Sequence, residues 1–123
     1  MGAREFDAPE ETFVCQKDIS LFSATAINQD GAPPLLSALK QAGFSKLYLH
    51  LDLDVIDPLE FPHVACPTPQ GIHLNPLKSL LLNLRSEFDV VGFSLLEFLP
   101  TEFKASSALE VLELLNIVIP DRP

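Results

Sequence analysis

Positive charge is scarce in this sequence. Its 123 residues hold 8 Lys and Arg against 17 Asp and Glu, a formal charge of −9. A nucleic acid would be repelled by such a surface unless a local basic patch offset it, and the sequence has none. Long apolar runs are also missing: nothing approaches the roughly 18 to 20 residues of a membrane span. The opening MGAREFDAPEE has neither a basic n-region nor an apolar h-region, so the expectation is a cytoplasmic chain with no membrane partner. Cysteine is limited to Cys15 and Cys66. Two thiols without framework spacing read as small, buried apolar side chains. Repeats and low-complexity segments are absent. Apolar side chains are plentiful, at 47%, which is enough to fold one modest core, and the length suits a single domain over residues 1–123.

The pattern along the chain is that of an α/β protein. DAPEETFVCQKDI places acids and a proline ahead of Phe13 and Val14 and suits a short helix or turn. SLFSATAI reads as a short strand. DGAPPLLSALKQAG predicts a helix, with two prolines near its start, Leu35, Leu36 and Leu39 at helical spacing, and Gly43 as its stop. Residues 46–55 alternate as a strand. Next comes an irregular segment punctuated by Pro58, Pro62, Pro67 and Pro69, long for a connection in a compact domain. NPLKSLLLNLRSEF predicts a helix capped by Asn75, with Pro76 first and a stripe of Leu77, Leu80, Leu81 and Leu84. VVGFSLLEFLP reads as a buried strand, and SSALEVLELLNIVI as a helix with Leu109, Leu112 and Leu115 on one face, running into an extended tail. Strands alternating with helices imply a mainly parallel sheet with crossover helices.

Within the first strand, HLDLDVIDP carries the most chemistry. Alternation puts Asp52 and Asp54 on one face with His50, their Cβ atoms roughly 6.6 Å apart at about 3.3 Å per residue. Two anions so close in a sheet raise each other's energy. A divalent cation with a taste for oxygen, Mn²⁺ or Mg²⁺, compensates them, and the carboxyl end of a strand is where open α/β sheets bind ligands. The bland alternative is that both carboxylates are solvated or cap nearby amides. Asp57 before Pro58 reads as turn chemistry. His50 is either a third ligand or a histidine packed and hydrogen-bonded beneath the site. His63 and His73 have no ligand-pair spacing and read as surface residues.

The strand HLDLDVIDP and the loop FPHVACPTPQGI resemble the ureohydrolases, the family of arginase, agmatinase and formimidoylglutamase. Their hallmark is a strand S-F-D-x-D-x-x-D-P followed by a proline- and glycine-rich loop. VVGFSLLEFLP is similar to the family's G-x-D-I-x-E-x-N-P strand, with Gly92, Glu97 and Pro100 aligned, and MGARE resembles the G-x-R strand that precedes this region. The resemblance spans nearly the whole chain and corresponds to the C-terminal portion of a three-layer arginase-like fold. It implies a binuclear Mn²⁺ site whose bridging hydroxide attacks a guanidinium carbon and releases urea, with Asp52 and Asp54 as metal ligands and Glu97 contacting the guanidino substrate. Read without the resemblance, Glu97 is a strand-end carboxylate that can simply face water.

The family's remaining metal ligands, a histidine and a D-x-H-x-D group, have no counterpart in this sequence. Metal should therefore be held weakly or not at all by this chain alone, and hydrolysis should be absent. Other departures are His50 for the family's serine, Ala65 and Cys66 for loop glycine and threonine, and Ser94 and Leu99 for strand aspartate and asparagine. They leave room for a second reading, a non-catalytic arginase-like scaffold or assembly domain. A third, a D-x-D nucleotide-sugar site, would want a glycine-rich or basic phosphate contact that the sequence does not offer. An incomplete parallel sheet leaves an open edge and an uncovered apolar face, so self-association is expected.

Overall fold

The computed structural model describes residues 1–4, 6–100 and 105–119. Helix α1 (Ala8–Gln16) begins with a reciprocal cap: Asp7 Oδ1 accepts the Glu10 N–H and Glu10 Oε2 accepts the Asp7 N–H, each at 2.9 Å. This satisfies two donors that a first helical turn otherwise leaves free. The helix buries none of its residues. Cys15 is accordingly exposed rather than buried as expected, because its helix has no core face on which to place it.

The segment expected as a strand at 20–27 instead enters helix α2 (Ala24–Asp30). Ser23 Oγ accepts the Ala26 N–H at 3.1 Å, and this N-cap outweighs the strand tendency of a few apolar neighbours. Helix α3 (Pro33–Gln41) opens on its two prolines and buries Leu36. It stops as expected, with the Gly43 and Phe44 amides returning to the Lys40 and Leu39 carbonyls.

Strand β1 (Lys46–Asp52) pairs in parallel with β2 (Asp89–Leu96), and helix α4 (Leu74–Glu87) makes the crossover between them. Parallel neighbours cannot be joined by a tight turn, which explains the long intervening chain. Leu77, Leu80, Leu81 and Leu84 of α4 are all buried, contributing about 1.5–3 kcal/mol each as an upper estimate. The helix starts earlier than expected: its N-cap is His73, and Asn75 and Pro76 lie within the first turn. The cap comes from outside, since Glu60 Oε2 accepts the Leu74 N–H at 2.7 Å. Pro76 is tolerated there because first-turn amides have no intrahelical partner to lose. Helix α4 packs against α2, α3, β2 and the last helix, α5 (Ala105–Val118).

Helix α5 turns only part of the expected stripe inward, with Leu115 packed against the core. Val111, Leu114 and Val118 are buried, while Leu109 and Leu112 are 58% and 52% exposed. The helix is apolar on both sides, so periodicity alone could not choose its core face. The extended tail expected after it lies outside the described residues.

The register pairs Tyr48 with Gly92, His50 with Ser94 and Asp52 with Leu96, after an irregularity between Leu47 and Tyr48. Leu47, Leu49, Phe93 and Leu95 pack on the core. Tyr48 and His50, on the opposite face of β1, are exposed. Gly92 lets the Tyr48 ring lie across it, since a Cβ there would sit 2.5 Å from that ring and push it aside. Among the described residues, no helix is long and apolar enough to cross a membrane.

Candidate functional site

The acidic segment is folded differently from a continuous strand. Strand β1 ends at Asp52, and Leu53–Val55 form one 3-10 turn. The cause is local: Asp52 Oδ1 accepts the Asp54 N–H at 2.8 Å, bending the backbone before alternation can continue. Asp54 is therefore placed by a turn, and its Oδ1 accepts the Cys66 N–H at 3.2 Å, tying the turn to the proline-rich loop. Arg4 braces the same turn from outside, donating to the carbonyls of Val55 at 3.0 Å, Gly2 at 3.3 Å, and Asp54. Residues 1–4 form no strand, contrary to the expectation for MGARE. The arginine instead donates to carbonyls of the turn, sharing that of Val55 with the Ile72 N–H.

Asp52, Asp54, His50, Cys66, Arg4 and Thr68 line one open cavity of about 410 Å³ at the carboxyl end of β1. Each aspartate commits Oδ1 to a backbone amide and leaves Oδ2 without a hydrogen-bond partner among the described residues. His50 Nδ1 lies 2.8 Å from Ser94 Oγ. If Nδ1–H donates to the hydroxyl, Nε2 keeps its lone pair, the arrangement found in oriented metal-binding imidazoles. Sequence reasoning noted His50 and Ser94 as separate departures; only the strand register reveals them as partners. Cys66 is exposed on the loop, not buried.

Asp57 does what its turn reading implies, and more. It is 7% exposed; Oδ1 accepts the Leu59 N–H at 3.0 Å and Oδ2 the Gly71 N–H at 3.1 Å. The Leu59 amide, then those of Gly71 and Gln70, hold its pKa below the usual carboxylate value, with charge on His73 adding a little and burial opposing. The bond to Gly71 closes the whole loop back on its own start, helped by Ile72, whose N–H donates to Val55 and whose carbonyl accepts from Asp57.

Glu97 does not line the carboxylate cavity. It follows β2 directly, is exposed, and has φ 62. A left-handed conformation costs a non-glycine residue roughly 1–2 kcal/mol. Its neighbours are pinned by the loop: Phe98 bridges Val64, and the Leu99 N–H donates to the His63 carbonyl at 2.9 Å. His63 is half-buried, edge-on to Phe61 at 5.6 Å, and His73 Nδ1 pairs with Glu60 at 2.7 Å. Among the described residues, no three His, Cys, Asp or Glu side chains converge to hold a metal ion. The donor set thus suits part of a hard-cation site, two carboxylates with one free oxygen each, and not a whole one.

The family model of the arginase family matches residues 1–116. The chain belongs to the arginase family. It is 31% identical over 100 residues to the N(1)-aminopropylagmatine ureohydrolase of Thermus thermophilus, covering 81% of this chain and 33% of that protein. The fold matches the arginase of Bacillus subtilis with a TM-score of 0.84 at 21% identity, over 98% of this chain and 42% of that one. It matches the agmatine ureohydrolase of Thermoplasma volcanium with a TM-score of 0.79 at 23% identity, over 95% of this chain and 39% of that one. The architecture is therefore arginase-like α/β, and the chain spans about a third of the length of the curated relatives it matches.

Proposed function

We propose that this chain is part of a Mn²⁺-dependent ureohydrolase that, when complete, hydrolyses a C–N bond of a guanidino or amidino small molecule in the cytoplasm. One observation carries the reading: Asp52 and Asp54 line a single cavity at the carboxyl end of a parallel strand, each with an uncommitted Oδ2. Carboxylate oxygens suit hard divalent ions, and Asp52 and Asp54 are two of the protein ligands of a binuclear site. His50, hydrogen-bonded to Ser94, lines the same cavity but, among the described residues, does not converge with the two aspartates as a third ligand. Bound divalent metal supplies an acidified water for attack on the substrate carbon.

The chain's own residues do the rest. Asp52 and Asp54 are held by amides of the turn and loop, so their free oxygens are pre-oriented rather than floppy. Glu97 pairs with the planar guanidinium, a fork that a carboxylate matches. Its left-handed backbone supports this role, since such strain concentrates at functional sites. Relatives named for aminopropylagmatine and agmatine support a guanidino substrate.

Among the described residues the converging donors of a tight site are absent, so the chain alone is expected to hydrolyse nothing. Its open sheet leads it to self-associate. The competing reading, a non-catalytic scaffold, is favoured by the same shortage of donors. Calorimetric titration of Mn²⁺ into this chain and into Asp52→Asn separates the two. Weak binding that the variant loses supports the metal site, whereas indistinguishable traces favour the scaffold. Urea released from agmatine or arginine by the 123 residues alone would overturn the ligand assignment.

A further inference from the structure

A carboxylate presents its free oxygen in a fixed direction only if the backbone beneath it is fixed too. Asp54 is held at three points. Its N–H donates to Asp52 Oδ1 at 2.8 Å, its own Oδ1 accepts the Cys66 N–H at 3.2 Å, and its carbonyl accepts from Arg4 Nη2. The first two bonds tie the aspartates to each other and to the loop, while the third comes from a residue fifty positions away. Arg4 also donates through Nη1 to the Val55 carbonyl at 3.0 Å, so one guanidinium spans two successive peptide groups of the turn. The segment carrying it is itself anchored. The Gly2 N–H donates to the Phe22 carbonyl at 2.7 Å, and Gly2 lies so close to Ile72 that an added Cβ would come within 2.9 Å of that side chain.

We propose that Arg4 is a positioning residue for the cavity around Asp52 and Asp54: it fixes the Asp54 backbone and, through the Asp54 N–H, the Asp52 carboxylate, so that both uncommitted oxygens are presented together to a divalent cation. The role rests on the metal reading above and adds a residue that touches no metal. Arg4 lines the same cavity as the two aspartates. Its partners are all carbonyls, and among the described residues it enters none of the ion pairs. It therefore acts through geometry and not by neutralising the carboxylates. Its Nε is buried with no partner, which buried polar groups rarely tolerate, so the side chain is arranged for the turn at the expense of one of its own donors. Charge alone argues the other way, because a guanidinium beside a cation site repels the cation. The two effects predict opposite signs for the loss of Arg4: tighter metal binding if charge dominates, weaker binding if positioning does.

The experiment uses the full 123-residue chain, isotope-labelled for nuclear magnetic resonance, with Arg4→Ala and Arg4→Lys, each checked for folding by circular dichroism. Without metal, the amide proton resonances of Asp54 and Cys66 report their bonds to the two carboxylates. Both should move toward random-coil positions in both variants, while those of Leu80 and Leu81 on α4 stay in place. With Mn²⁺, the electron paramagnetic resonance signal of the free ion gives the affinity, which should fall by about tenfold or more in both variants, the usual effect of losing a group that orients a ligand. Val111→Ala, which removes buried volume on α5, controls for lost stability alone and should leave the affinity within about twofold, as a distant site does. The proposal is overturned if the two amide resonances do not move, if Arg4→Lys matches the parent, or if Arg4→Ala binds Mn²⁺ as tightly as the parent or more so. A parent that binds no Mn²⁺ would sink the metal reading, and the amide resonances would then decide by themselves whether Arg4 holds the two carboxylates.

Discussion

Replacing Asp57 by alanine tests whether one carboxylate holds the proline-rich loop closed. The side chain accepts from Leu59 and Gly71 with separate oxygens, but the two bonds are not equal. Leu59 is 94% exposed, so water can readily replace that partner. Gly71 is buried, and its N–H has no such substitute. An orphaned buried donor costs about 1–3 kcal/mol, and a bond to a charged acceptor is worth about 1.5–3 kcal/mol. Allowing for overlap between these figures, Asp57→Ala should lose about 2–4 kcal/mol. With a urea m-value of about 1–2 kcal/mol/M, the midpoint should fall by roughly 1–4 M. Asp57→Asn keeps one acceptor oxygen and should lose about half as much.

The pH dependence supplies a second readout. Because the folded pKa is lowered, the contribution of Asp57 is fully present above the unfolded value of about 3.9 and is lost as pH falls through the folded pKa. The stability gap between the parent and Asp57→Asn should therefore narrow below about pH 4 and stay flat above it. A change under 0.5 kcal/mol for Asp57→Ala at pH 7, on the order of an ordinary surface substitution, would refute the clamp.

Gly71→Ala should be at least as damaging, because its Cβ would lie 2.4 Å from the Asp57 nitrogen and the Ile56 carbonyl carbon, neither of which can move alone. We expect a loss above roughly 3 kcal/mol in urea melts, beyond ordinary overpacking; a stable variant would mean the loop is looser than described. Arg4→Lys should fail to rescue what Arg4→Ala loses, about 1–3 kcal/mol for a charged donor on part-buried carbonyls. One ammonium cannot copy a fork that reaches Gly2, Asp54 and Val55 together. Equal stability of the lysine variant and the parent would contradict that geometry.

Much of the fold could be read in the residues themselves. The four leucines of α4, the prolines opening α3 and the alternation of β1 were legible, and packing agrees with them. Strand β2, expected as a buried strand, pairs as expected but has no fully buried residue. Errors arose where a side chain bonded to nearby backbone. Ser23 turned an apolar stretch into a helix, Asp52 cut its own strand short, and Glu60 capped α4 from outside the helix. Helix α5 misled for a different reason: leucines on every side leave tertiary context to choose the inner face. At the site, the acidic pair was visible in the pattern, but its turn was not. The His50 contact with Ser94 joins residues 44 apart in sequence and depends on register. Arg4 was noticed only through resemblance, because nothing local signals that a guanidinium will collect carbonyls from a turn fifty residues away.

The contact between Tyr48 and Gly92 gives the molecule a built-in optical reporter. The chain has one tyrosine and no tryptophan, so its ultraviolet emission comes almost wholly from a ring lying across both strands and 63% open to solvent. Whatever comes to rest on that side of the sheet must change the polarity and quenching around this single fluorophore. Assembly can thus be followed in unlabelled protein, by excitation near the phenol band, with no tag to disturb the surface being watched.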